Sequence, residues 1–188
     1  MSGLIGFMIF IILIAIVGFF LVGMYNTLVR ARNEVKNAWS QIDVQLNRRH
    51  DLIPNLVETV KGYMTHERET LEAVTAARQQ AVNITGDVEA KARAENQLSQ
   101  TLRSLFAVSE AYPDLKANQN FLALQEELAS TENKIAFSRQ YYNDSVLNLN
   151  NRIEMFPTNI FANMFNFVKE KFFEVETVEA RKPVQVKF

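Results

Sequence analysis

Residues Leu4 to Met24 read LIGFMIFIILIAIVGFFLVGM, a run of 21 residues without a charge. As a helix rising 1.5 Å per residue the run is about 31 Å long, matching the roughly 30 Å hydrocarbon core of a bilayer. It predicts a transmembrane helix. A cleaved signal peptide is the competing reading, and three features oppose it. No lysine or arginine precedes the run, the run is long for an h-region, and no A-x-A-like site follows it. A buried core helix is opposed by the rest of the chain, which lacks the hydrophobic mass to surround it. Glycines 3, 6, 18 and 23 form no GxxxG motif for span dimerisation. Arg30, Arg32 and Lys36 follow the run, with Arg48 and Arg49 further on. The positive-inside bias therefore predicts a single-pass protein with its bulk domain in the cytoplasm, the periplasmic or extracellular side being the alternative.

After Met24 the punctuation is sparse: Gly62 and Gly86, and Pro54, Pro113, Pro157 and Pro183. That scarcity predicts long helices and an all-α fold. Breaks at Thr85-Gly86-Asp87, Ala111-Tyr112-Pro113-Asp114 and Phe156-Pro157-Thr158-Asn159 divide the chain into helical segments near 25–84, 87–111, 118–155 and 159–174. Short connections between long helices predict an antiparallel up-down bundle of four. The domain reading is a short N-terminus over 1–3, a span over 4–24 and a membrane-proximal stalk over 25–53. A bundle over 54–174 and an extended or disordered tail over 175–188 complete it.

Periodicity supports the segments. Phe121, Leu124, Leu128, Ile135, Tyr142, Leu149 and Phe156 form one stripe at spacings of three, four and seven. Asp87, after Gly86, is the expected N-cap of the second segment. The last segment aligns Phe161, Phe165, Val168 and Phe172 as a core face, yet Ile160, Met164 and Phe167 widen it. The surplus predicts either more core or a surface for lipid headgroups or another subunit.

The stalk carries Val35, Trp39, Ile42 and Leu46 at spacings of four, three and four. Such a seam needs a partner: the third helix, the tail, or a second copy of the chain. The same period continues through Arg49, Ile53, Leu56, Val60 and Tyr63, so Arg49 falls on the apolar face. An interior guanidinium needs a carboxylate, for which Glu95, Glu132 and Asp144 are candidates; the alternative is a side chain that snorkels to solvent. Pro54 predicts a kink or restart of the helix, with Asp51 helping to cap the new start; because the apolar period runs through from Ile42 to Val60, the expectation is a modest bend without a change of face.

Reactive constellations are absent from the sequence. There is no cysteine, hence no disulfide or thiolate chemistry. His66-Glu67-Arg68-Glu69-Thr70 lacks the second histidine of H-E-x-x-H, and His50 and His66 are about 24 Å apart on one helix. There is no G-x-S-x-G elbow and no Gly-rich phosphate cradle. With 20 basic against 21 acidic residues, and Arg48-Arg49 a lone basic pair, no nucleic-acid surface emerges. We expect no catalytic residue, metal, cofactor or small-molecule substrate, and no enzyme.

The stretch YNTLVRARNEVKNAWSQIDVQLNRRHDLIPNLVETVKGYMTHE, Tyr25 to Glu67, resembles the signature of the LemA family. YPDLKANQNFLALQEELASTENKIAFSRQYYNDSVLNLNNRIEMFP, Tyr112 to Pro157, is similar to its second block, and the closing Pro183 to Phe188 also matches. The resemblance implies a bacterial inner-membrane protein: a membrane-anchored bundle of long helices with a small external N-terminus and a cytoplasmic domain. It implies no catalytic residues. Relatives in magnetotactic bacteria are tied to the magnetosome membrane, which implies membrane organisation. The expected function is a non-enzymatic, homo-oligomeric scaffold; the alternative is an adaptor or sensor that docks a partner membrane protein such as a protease or signalling protein.

Overall fold

A computed structural model of the chain describes residues 2–174, and among these every regular element is helical. The order is α1 (Ser2–Lys61), α2 (Arg68–Asn83), α3 (Val88–Ser109), α4 (Pro113–Lys116), α5 (Gln119–Glu154) and α6 (Thr158–Met164). The expected tail over 175–188 lies outside the described residues.

Two segment boundaries differ from expectation. The first helix does not continue to residue 84. It ends at Lys61, and Gly62 opens a turn through Glu67 in which the Tyr63 and Met64 amides both donate to the Val60 carbonyl. Glycine's high backbone entropy makes this a cheap place to stop. At Pro54, by contrast, α1 does not restart. The helix runs through it, Asp51 is an exposed mid-helix residue, and Ile53, Leu56 and Val60 stay buried on the face that holds Ile42 and Leu46.

The last segment also ends earlier than its apolar stripe predicts. α6 stops at Met164, where Asn166 takes a left-handed φ of 54°. The Phe167 amide donates to the Ala162 carbonyl at 2.8 Å and the Asn166 amide to Asn163 at 3.3 Å, the paired bonds of a Schellman turn. Phe167 is thereby turned inward and buried, while Phe165 and Val168, on the expected core stripe, are exposed. Gly86 also needs its freedom: its φ of 82° turns the chain between α2 and α3, and Asp87 then caps α3 by accepting from the Glu89 and Ala90 amides at 3.0 and 3.3 Å.

The chain forms two compact units. One comprises residues 2–41 with Gln140–Glu170, and the other Ile42–Arg139 with residues 171–174. In the first unit the N-terminal window of α1 has a mean hydropathy of 3.2 and none of it is buried, which makes it a candidate membrane span. Beyond that window Leu28, Ala31, Val35 and Ala38 of α1 are buried, as are Tyr142, Val146 and Leu149 of α5. Trp39 stands edge-on to Tyr142, with ring centroids 5.5 Å apart. Burial, reinforced by the nearby Glu170 carboxylate, pushes the Tyr142 phenol up to about 12.

In the second unit α2 packs along α3. Val74, Ala77 and Ala81 of α2 share a core cluster with Ala94, Leu98 and Leu105 of α3, the small side chains permitting close approach. Ile53, Leu56 and Val60 of α1 and Phe121 and Leu128 of α5 complete that cluster.

Candidate functional site

The apolar face of α1 carries one charge into the second unit's interior. Arg49 is only 2% exposed and is among the largest fully buried side chains of the protein. Its head is paired and does not reach out to solvent. Nη2 lies 2.5 Å from Glu95 Oε2, and Nη1 lies 2.6 Å from Glu132 Oε2. Ser99 links the two sides: its hydroxyl accepts from Nη1 at 2.7 Å and donates to Glu132 Oε1 at 3.1 Å. Glu95 and Ser99 stand four residues apart on α3, so one helix turn presents both to the guanidinium. Asp144, the third carboxylate considered, is exposed on α5 and belongs to the other unit.

Glu95 gathers more than one cation. His50 Nε2 bonds Oε2 at 3.3 Å, and because an ionised carboxylate only accepts, that nitrogen carries its hydrogen. Lys91 Nζ lies 3.3 Å from Oε1 and donates at 2.8 Å to the Ala81 carbonyl, one of the orphan acceptors at the end of α2. Burial by itself would raise the Glu95 carboxyl. The His50 hydrogen bond and the Arg49 charge outweigh it and hold the group below the ordinary carboxylate range. Burial also lowers the nearby Arg139 guanidinium, opposed by the Glu132 carboxylate.

The cluster has a dry end and a wet end. Glu95 keeps 3% of its side chain exposed and Glu132 keeps 43%. A cleft of about 230 Å³ opens at the wet side, with Arg49, Ser99 and Glu132 at its polar end and Leu102, Phe106 and Leu128 along its walls.

Arg78 of α2 explains why Pro54 leaves α1 intact. Proline has no N–H, so the carbonyl four residues earlier, that of His50, loses its helical donor. Arg78 Nε donates to that carbonyl at 2.7 Å. A side chain of the neighbouring helix thus replaces the missing backbone bond.

Of the residues singled out from the sequence, Arg49, Glu95 and Glu132 meet directly. Val35, Ile42 and Leu46 are buried within the chain itself at 5%, 0% and 0% exposure, and Trp39 is half-buried. Asp51 and Pro54 are exposed on α1. Sequence reasoning missed Ser99, Lys91, His50 and Arg78 as members of the cluster. The i, i+4 spacing of Lys91, Glu95 and Ser99 was a signal for three of the α3 contacts, and the orphan carbonyl implied by Pro54 was a signal for some outside donor. Among the described residues no three histidine or carboxylate side chains are placed to share a metal ion.

The LemA family model matches residues 38–188, a stretch that takes in the whole charge cluster. The chain belongs to the LemA family. It is similar to Protein LemA of Metamycoplasma hominis, 31% identical over 170 residues that cover 90% of this chain and 78% of that protein. It is also similar to the magnetosome proteins MamQ 2 and MamQ 1 of Paramagnetospirillum magneticum. Each is 23% identical over 175 residues, covering 80% of this chain but only 64% of the MamQ length. The family match begins after the apolar run, so the LemA domain and the candidate span are separable in sequence while α1 joins them without a break.

Proposed function

We propose that this LemA-family chain is a membrane-anchored, non-enzymatic scaffold, held by one span in a bacterial inner membrane with its domain in the cytoplasm. Its helices associate with further copies to organise the membrane or its protein complexes. The observation that carries the reading is that one helix, α1 (Ser2–Lys61), holds both the candidate span and the first core residues of the domain. No loop separates the apolar run from those core residues, which suits a domain held at the bilayer better than one on a flexible linker. The charge cluster fits the same role: Arg49 and Lys91 face Glu95 and Glu132 inside the domain, where paired charges set helix register. Relatives named as magnetosome proteins bring the proposal of a membrane-organising role to this chain. An antiparallel arrangement of the long helices is part of it.

Chemical cross-linking in intact cells and light scattering of the full chain in mild detergent test the scaffold. Ladders of self-linked species are expected. A chain that stays monomeric in both loses the scaffold reading. For the side of the membrane, the absence of native cysteine makes Lys134→Cys a clean reporter. It should resist a membrane-impermeant maleimide in intact spheroplasts and react after lysis.

The adaptor reading is favoured by a different observation. A groove of about 850 Å³ runs between the end of α1 and α2, with Val57, Met64 and Leu71 in its floor and Glu58, Lys61 and Arg68 on its rim. Its dimensions suit an amphipathic helix of a partner membrane protein. A chain that is monomeric alone and is captured by one partner through Leu71 supports the adaptor.

A further inference from the structure

We propose that residues 155–168, the turn and short helix after α5, lie in the headgroup region of the bilayer as a second membrane-contacting element beside the exit of the span. The proposal rests on reading residues 4–24 as that span.

The sequence MFPTNIFANMFNFV carries no charge from Met155 to Val168, between Glu154 and Lys169. A water-soluble surface would not leave such a stretch open, yet most of its large side chains are out. Phe156 is 78% exposed, Val168 72%, Met155 63%, Met164 61% and Ile160 54%. Scattered apolar residues on a surface are ordinary, but a contiguous uncharged patch of aromatics and aliphatics marks an interaction face.

Its position within the first unit says what covers it. Tyr25, the residue after the apolar run, holds Phe165 at 4.8 Å and Phe167 at 6.1 Å between ring centroids, and the Arg32 guanidinium sits 5.0 Å over the Phe167 ring. Leu21 and Val22, the last turn of the run, wall an apolar cleft of about 270 Å³ with Tyr25, Phe161, Met164 and Phe165. The exposed face is therefore continuous with the part of α1 that lipid covers. Seven residues of helix are about 11 Å long and cannot cross a bilayer. An apolar face of that size, with no charge inside it and Arg30, Arg32 and Lys169 just outside, is built to sit a few ångströms below the phosphates. The Schellman turn at Asn166 is what keeps Phe165 on the lipid side and Phe167 on the protein side.

Site-directed spin labelling of the full chain in phospholipid vesicles tests the proposal, aided by the absence of native cysteine. Single variants Ile160→Cys, Met164→Cys and Val168→Cys are compared with Phe10→Cys in the run and Lys36→Cys beyond it. Collision with oxygen and with a water-soluble nickel chelate reads depth. Labels at 160, 164 and 168 are expected to gain oxygen and lose nickel collisions relative to 36, at shallower depth than the label at 10. If they collide with nickel as freely as 36 while 10 reads lipid, the proposal is overturned. If they are shielded from both reagents and broadened by spin–spin coupling, a second copy covers the face, and the proposal is again wrong. A label at 10 that reads water removes the span itself, an outcome distinguishable from the other two.

Discussion

Arg49 Nη2 and Glu95 Oε2 stand 2.5 Å apart with 2% and 3% of their side chains exposed, so protein groups replace water around both charges: Glu132 and Ser99 also serve Arg49, and His50 and Lys91 also serve Glu95. Removing one partner leaves the other buried with its charge only partly compensated. Arg49→Leu or Glu95→Gln should therefore lower stability by about 3–5 kcal/mol, while a paired apolar replacement of both recovers much of that loss. Denaturant melts of the full chain in detergent, run as a double-mutant cycle, measure the coupling. Unchanged melting in Arg49→Leu would mean the pair contributes nothing.

The same carboxylate sets an acid limit. Glu95 has a lower pKa folded than unfolded, so its contribution is complete above the ordinary carboxylate range. It is lost as pH falls through that range and is gone below the depressed folded value. Melting temperature should fall steeply from about pH 5 downward, and Glu95→Gln should flatten that limb while lowering the plateau near pH 7. A limb of equal steepness in the variant would assign the acid sensitivity to other groups.

Arg78 and Pro54 should be coupled. Arg78→Ala leaves the His50 carbonyl without a donor, at a cost of about 1–3 kcal/mol. Pro54→Ala returns an N–H four residues along, so in that background the same Arg78→Ala change should cost far less. Equal costs in both backgrounds would sever the link.

At the α2–α3 turn, Gly86→Ala must hold a side chain at a φ of 82°, a strain of about 1–2 kcal/mol. Nothing lies within 4 Å of the added Cβ, so the effect isolates backbone conformation from crowding. Asp87→Ala removes the cap at a cost of about 1 kcal/mol. Thermal melts followed by far-ultraviolet circular dichroism read both.

Local signals carried well where a single residue decides its own conformation. Gly86 and Asp87 mark the start of α3, and the buried period from Val35 to Val60 passes through Arg49 as spacing predicts. They failed where two signals of similar strength competed. The phenylalanine stripe 161–165–168–172 is a good helical pattern, but Asn166 accepts a left-handed φ and ends the helix first. At Pro54 the apolar face is kept as spacing predicts, and the helix does not restart because a neighbouring helix supplies the missing donor.

From sequence alone follow the helical class, the apolar run at the N-terminus, the LemA resemblance and the presence of an arginine on an apolar face. Each is a matter of composition or period along one chain, which local backbone geometry enforces. Only the tertiary structure decided that Glu95, Glu132 and Ser99 meet that arginine, that Arg78 mends the helix at Pro54, and that Phe156, Ile160, Met164 and Val168 stay exposed while Phe167 turns inward. Those outcomes join groups from tens to a hundred residues apart, and buried charges and orphan carbonyls state a need for a partner without naming it.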